Sequence, residues 1–184
     1  MSETERRPRE LAARPANRAY YDACEGAWRG ELAFAITDAA AFRRAPLSTA
    51  DRLRVRAMLA ADRLLGRARF ETTVSVLGSD EIVHTTRISR LGVPLFASRE
   101  RLVLDPDGQG VRMTIASRTF PLFWPARSEG PFRAAVDENA TRAVYELSLF
   151  GCPMRQTAAR DGSSVTLVQE TAWSRSEQRL ARVR

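Results

Sequence analysis

The sequence predicts a mainly β protein: a single antiparallel barrel of roughly eight to ten strands, with a short N-terminal helix and a helix-turn-helix after the first strand. Three observations carry that prediction. From residue 70 onward, short segments rich in β-branched and aromatic residues follow one another between tight turn signals, the pattern of an antiparallel meander. Between residues 38 and 66 the apolar spacing changes to that of two helices joined by a short turn. A meander this long must either leave two edges unpaired or close on itself, and closure removes the edges.

Each element follows in order. Residues 1 to 8, "MSETERRP", are expected to form a disordered arm, and residues 9 to 184 a single domain. A short helix is expected from Arg9 to about Cys24, broken near Pro15. In "WRGELAFAIT" the residues Trp28, Gly30, Leu32, Phe34 and Ile36 share one face, and Arg29, Glu31, Ala33 and Ala35 take the other, which reads as a half-buried strand. Asp38 can cap a helix that ends before Pro46. Ser48, with Asp51 three residues later, resembles a capping box and opens a second helix that Gly66 stops. Strands are then expected at 70–77, 81–89, 95–104, 111–119, 132–136, 142–150, 154–159 and 164–173, separated by "LGSD", "RLGVP", "DPDGQG", "DENAT" and "RDGSS". In "FPLFWPARSEGP", Pro121 and Pro125 force a bend or an edge. The closing "SRSEQRLARVR" receives no strand assignment.

Composition narrows the function classes. Hydrophobic residues at 44% and charged residues at 28% are ordinary for a globular protein. No apolar run reaches the roughly 20 residues that span a bilayer, so no membrane insertion is expected. The charged N-terminus lacks an apolar signal core, and the two cysteines, Cys24 and Cys152, imply no disulfide framework; a cytoplasmic location with reduced thiols is expected. The net charge of +7 invites a nucleic-acid reading. All 29 basic residues are arginine, however, and they are spread along the chain, with one gathering (Arg52, Arg54, Arg56, Arg63, Arg67 and Arg69) that reads as the solvated face of one helix. No nucleic-acid partner is expected. The arginine-for-lysine bias points to a GC-rich genome, and a bacterial source is expected.

The "GAW" at residues 26 to 28, just after a helical segment, resembles the Gly-x-Trp that opens the barrel of lipocalins, and the helices at 38 to 66 occupy the place of the helical lid in fatty-acid-binding proteins. The chain therefore resembles the calycin superfamily. That resemblance implies a Trp28 packed beneath the barrel against a basic residue from near the chain end, Arg179 or Arg182, and a lumen that holds a hydrophobic small molecule. The Arg-x-Tyr of the fatty-acid-binding proteins is absent. A START-like helix-grip fold is the rival, since it also runs strand, two helices, antiparallel strands; its long terminal helix has too little chain after Trp173.

Candidate chemistry is sparse. His84, the one histidine, shares the more apolar face of "EIVHTTRIS" with Ile82, Thr86 and Ile88, so it is expected to point inward as a proton donor or acceptor, or as a satisfied core residue. A haem held by this single imidazole stays open as an alternative, but no cofactor and no metal are expected. Tyr145 shares the apolar face of its strand with Leu147 and Leu149, and Glu146 faces away. Glu170 lies among Thr166, Val168 and Ala172 and is a candidate base if it faces the lumen. The proposed catalytic set is thus His84, Tyr145 and Glu170, with Phe34, Met113 and Trp173 as pocket walls. Phe120, Phe123 and Trp124 are candidates for a portal rim. No nucleophile elbow, phosphate-binding loop, dinucleotide fingerprint or zinc motif occurs. Three functions fit: a carrier or sensor, a cofactor-free cyclase or isomerase that folds its substrate into a reactive shape, or a structural or interaction protein with a filled core. The sequence is silent on oligomeric state.

Overall fold

The computed structural model describes residues 15–105, 110–119 and 127–183. The expected arm at 1 to 8, the helix start at Arg9 and the aromatic segment Phe120, Phe123 and Trp124 lie outside the described residues.

Helix α1 (Ala16–Cys24) leads into strand β1 (Gly26–Ile36). Helices α2 (Ala39–Arg44) and α3 (Thr49–Leu65) follow. The Asp38 carboxylate accepts from the Ala40 and Ala41 amides at 2.8 Å, and the Ser48 hydroxyl accepts from the Asp51 amide at 3.1 Å, so both helix starts are capped by side chains. The remaining elements are all strands: β2 (Ala68–Leu77), β3 (Glu81–Arg90), β4 (Val93–Leu104), β5 (Gly110–Thr119), β6 (Arg127–Val136), β7 (Arg142–Leu149), β8 (Cys152–Asp161), β9 (Ser164–Glu170) and β10 (Ser174–Arg182).

Each strand pairs antiparallel with its neighbour in sequence, and β1 pairs with both β2 and β10, which closes a ten-stranded barrel. The closing strand is the chain end that the sequence left unassigned. It pairs from Ser174 against Ile36 to Arg182 against Trp28. A strand in that place, where the helix-grip fold carries its long helix, removes the rival. Gly30 is required for closure: a Cβ there would stand 2.1 Å from the Arg179 carbonyl oxygen. The stretch expected as one strand to Trp173 instead ends at Glu170 and turns through Trp173.

Opposite ends of the barrel are closed by different means. Where the β2–β3, β6–β7 and β8–β9 turns gather beside the end of β4 and the start of β5, α1 lies across the opening. Asn17 donates to the Gly110 carbonyl at 3.1 Å, and the Arg18 guanidinium donates to that of Ser79 at 2.8 Å. Trp28 is 2% exposed, its indole donates to the Cys24 carbonyl at 2.7 Å, and the Arg182 guanidinium stacks 5.2 Å from its ring. Of the two basic residues expected beneath the tryptophan, Arg182 fills the place. Tyr20, Tyr21, Ile82, Leu102 and Val111 complete a dry cluster around it.

At the other end α2 and α3 form a lid. Phe42, Leu47 and Val55 pack on Cys152 and Trp173, beside Leu149 and Phe150 of the β7–β8 turn. From there α3 runs to the far rim, where its Asp62 pairs with Arg90 at the end of β3.

Candidate ligand-binding site in the barrel lumen

Between the dry cluster and the lid, the inward face changes character. Along β3, Ile82 is fully buried, whereas His84 two positions on keeps 16% of its side-chain surface accessible. Along β4 the same step runs from buried Leu102 to Glu100, at 19%. Thr72, Ile115, Leu147, Gln156 and Gln169 are likewise on inward positions yet only half-buried. Inward positions at this level are thus less completely buried than those at the α1 end, which is packed.

Two polar arrays line this level of the barrel. On the β3–β4 wall, His84 Nδ1 stands 3.5 Å from Glu100 Oε2, and the other Glu100 oxygen accepts from the Ser98 hydroxyl at 3.0 Å. Tyr21 reaches up from α1, its ring centroid 5.8 Å from that of His84, and its hydroxyl bonds the Tyr145 hydroxyl at 2.8 Å. Burial drives both phenol pKa values upward, so both remain protonated donors near neutral pH. The mutual bond uses one of their two protons.

On the β8–β10 wall, the Gln169 amide donates to Gln156 Oε1 at 2.6 Å, and the Ser176 hydroxyl donates to Gln169 Oε1 at 2.8 Å. Gln178 donates to the Ser176 hydroxyl at 3.1 Å and is 1% exposed. Two atoms in these arrays, His84 Nε2 and Gln178 Oε1, are buried without a hydrogen-bond partner. Such atoms are rare in folded proteins and expensive where no partner arrives.

The predicted site residues are distributed unevenly over this geometry. His84 faces the lumen as expected. Tyr145 faces inward too, but sits deeper, fully buried against Tyr21. Glu170 lies outside: its side chain is exposed and ion-paired with Arg175, so the interior carboxylate is Glu100 instead. Phe34 is half-buried near the mouth, edge-on to Trp173 at 6.3 Å. Trp173 belongs to the lid cluster, 5.1 Å from Phe42, and Met113 to the dry cluster, so neither is an open wall. Glu100, Tyr21 and the three glutamines were missed. Glu100 had a readable signal, since Phe96, Ser98, Glu100, Leu102 and Leu104 share one parity and a carboxylate interrupts it. Among the described residues, no three His, Cys, Asp or Glu side chains gather as a metal site would require, and no helix is long and apolar enough to cross a membrane.

No protein-family model and no curated protein matches the sequence. Among solved structures the chain is similar to Rv2717c from M. tuberculosis, with a TM-score of 0.51 at 12% identity over 92% of this chain and 98% of that one. A structure named REP1-NXSQ fatty acid transporter matches more distantly, with a TM-score of 0.42 at 10% identity over 88% of this chain and 96% of the other. The first likeness shows the fold alone, a closed antiparallel barrel.

Proposed function

We propose that the chain binds a hydrophobic small molecule carrying at least one hydrogen-bonding group, held in the middle of the barrel as in the calycins it resembles. The observation that carries this reading is the pair of unpartnered buried atoms, His84 Nε2 and Gln178 Oε1, above a dry cluster and below a lid. A ligand hydroxyl or amine satisfies the glutamine oxygen, and the imidazole nitrogen can accept from or donate to the same molecule. Half-buried Ile115, Leu147 and Leu167 take its apolar body. Arg182 stacked on Trp28 is the arrangement that the calycin resemblance implies, and it supports membership.

A second reading, conversion of the ligand as a cofactor-free isomerase or cyclase, rests on the His84–Glu100 pair. A carboxylate beside Nδ1 holds the proton there and leaves the Nε2 lone pair as a base facing the lumen. That base can take a proton from a carbon that lies between a carbonyl and a C=C bond of the ligand. The electron pair then moves to the carbonyl oxygen, where a tyrosine hydroxyl donates, and return of the proton to another carbon completes an isomerisation with no oxidant or reductant.

Native mass spectrometry of freshly purified protein, followed by thermal shifts against a panel of hydrophobic compounds, tests the binding. We expect a co-purified small molecule, or a saturable rise in Tm, and weaker binding by His84→Ala. Absence of both would remove the proposal. A carrier returns its ligand unchanged; a converting enzyme loses turnover in Glu100→Gln while still binding.

A further inference from the structure

At the mouth of the barrel a charge is buried in an unusual way. Arg90 ends β3, just past the bulge at Ile88/Ser89, and its side chain is only 5% accessible. One terminal nitrogen pairs with Asp62 of α3, while its Nε is buried with no partner. A buried guanidinium is stabilised only when its donors are taken up, so this site is short of one acceptor, at Nε. The lid has little else holding it here. Val55 is the one buried residue of α3, Leu59 packs partly against the same lid cluster one turn on, and beyond Asp62 both Leu64 and Leu65 face solvent. That half of the lid is thus tied to the rim by a charge pair more than by apolar packing.

We propose that Arg90 takes the carboxylate of an amphiphilic ligand whose apolar body lies in the lumen, and that the ligand does so in competition with Asp62. This rests on the lumen reading above. Two neighbouring donors of one guanidinium face, Nε and a terminal nitrogen, match the two oxygens of a carboxylate, and such bidentate pairs are among the stronger hydrogen bonds available to a protein. The apolar body follows from what lies next on the inward face, Ile88 and its cross-strand neighbour Phe96, both half-buried. Asp62 already occupies one of the two donors, so the seated acid displaces it and frees the C-terminal half of α3. Loading and latch closure then exclude one another.

The test compares straight-chain alkanoates of eight to sixteen carbons with the alkanols of equal length, by displacement of a fluorescent hydrophobic probe, in the unmodified protein, Arg90→Gln and Asp62→Asn. The acids should bind about tenfold more tightly than the matching alcohols. Arg90→Gln should abolish that difference. Asp62→Asn should strengthen the acids several-fold more than the alcohols, because it removes the competitor and leaves the arginine; it also keeps the test decisive if Arg90→Gln fails to fold. Alcohols that bind as tightly as acids in the unmodified protein would sink the proposal and leave the lumen reading standing. So would an Asp62→Asn effect equal for both, which marks the pair as a plain gate. If no acid and no alcohol binds, the lumen reading falls and takes this one with it.

Discussion

The α1 end and the middle of this barrel are made from the same strands with the same alternation, yet one is fully buried and the other only half-buried. At the α1 end large side chains meet one another: Trp28, Tyr20, Tyr21, Ile82 and Leu102 fill the cross-section, and a helix and a stacked arginine seal it. Two residues further along each strand, the inward positions become Thr72, His84, Glu100, Gln156 and Gln169, which bond sideways to their neighbours in the wall. Volume and polarity of the inward residue, and not backbone topology, decide where a closed barrel keeps a lumen. One end supplies stability; the middle gives some of it up to keep polar atoms unpaired.

The largest expected effect is at the packed end. Trp28→Ala removes a fully buried indole and should cost about 3–5 kcal/mol of unfolding free energy, measured by denaturant titration. A cost near zero would mean that the two regions do not differ in packing. Tyr145→Phe strips the partner from the Tyr21 hydroxyl and should cost about 1–3 kcal/mol.

Alkaline titration probes the same end without a mutation. The chain's three tyrosines are Tyr20, Tyr21 and Tyr145, and burial holds the proton of each to a pH above its ordinary value near 10. The unfolded chain ionises first, so this contribution to stability is complete below about pH 10 and is lost as pH rises beyond it. Tyrosinate absorbance should therefore appear in one cooperative step together with loss of circular dichroism. Gradual ionisation of folded protein near pH 10 would show that the cluster is wet. The smallest expected effect on stability is in the middle: Gln178→Leu should change it by less than about 1 kcal/mol, because it replaces an under-satisfied buried amide, yet it should weaken ligand binding.

The sequence displayed the packed end more clearly than the middle, for a physical reason. Period-two alternation is visible where inward residues are apolar, so β1, β3, β4 and β7 were readable, as was the inward direction of His84 and Tyr145. In β10 the inward residues are Ser174, Ser176, Gln178 and Leu180, between exposed Arg175, Arg179 and a half-buried Glu177. With both faces polar the alternation vanishes, and the strand that closes the barrel could not be seen. The same polarity is what equips its wall to meet a ligand. Glu170 misled in the opposite way, being a carboxylate within an apolar stretch whose strand ends on it and turns it out to Arg175. Tyr21 was hidden because no strand carries it; its place at the top of the packed cluster, beside His84, depends on how α1 docks across the turns.

Ile115→Trp tests for a hollow middle most directly. Ile115 is half-buried on the inward face of β5, directly across from Glu100, and the larger ring would occupy the space a ligand needs. If the lumen is open, the variant keeps its cooperative unfolding, with stability within about 1 kcal/mol of the parent, and no longer binds the hydrophobic probe. A variant that loses several kcal/mol, or one that binds the probe as before, would contradict a ligand-holding lumen at this level of the barrel.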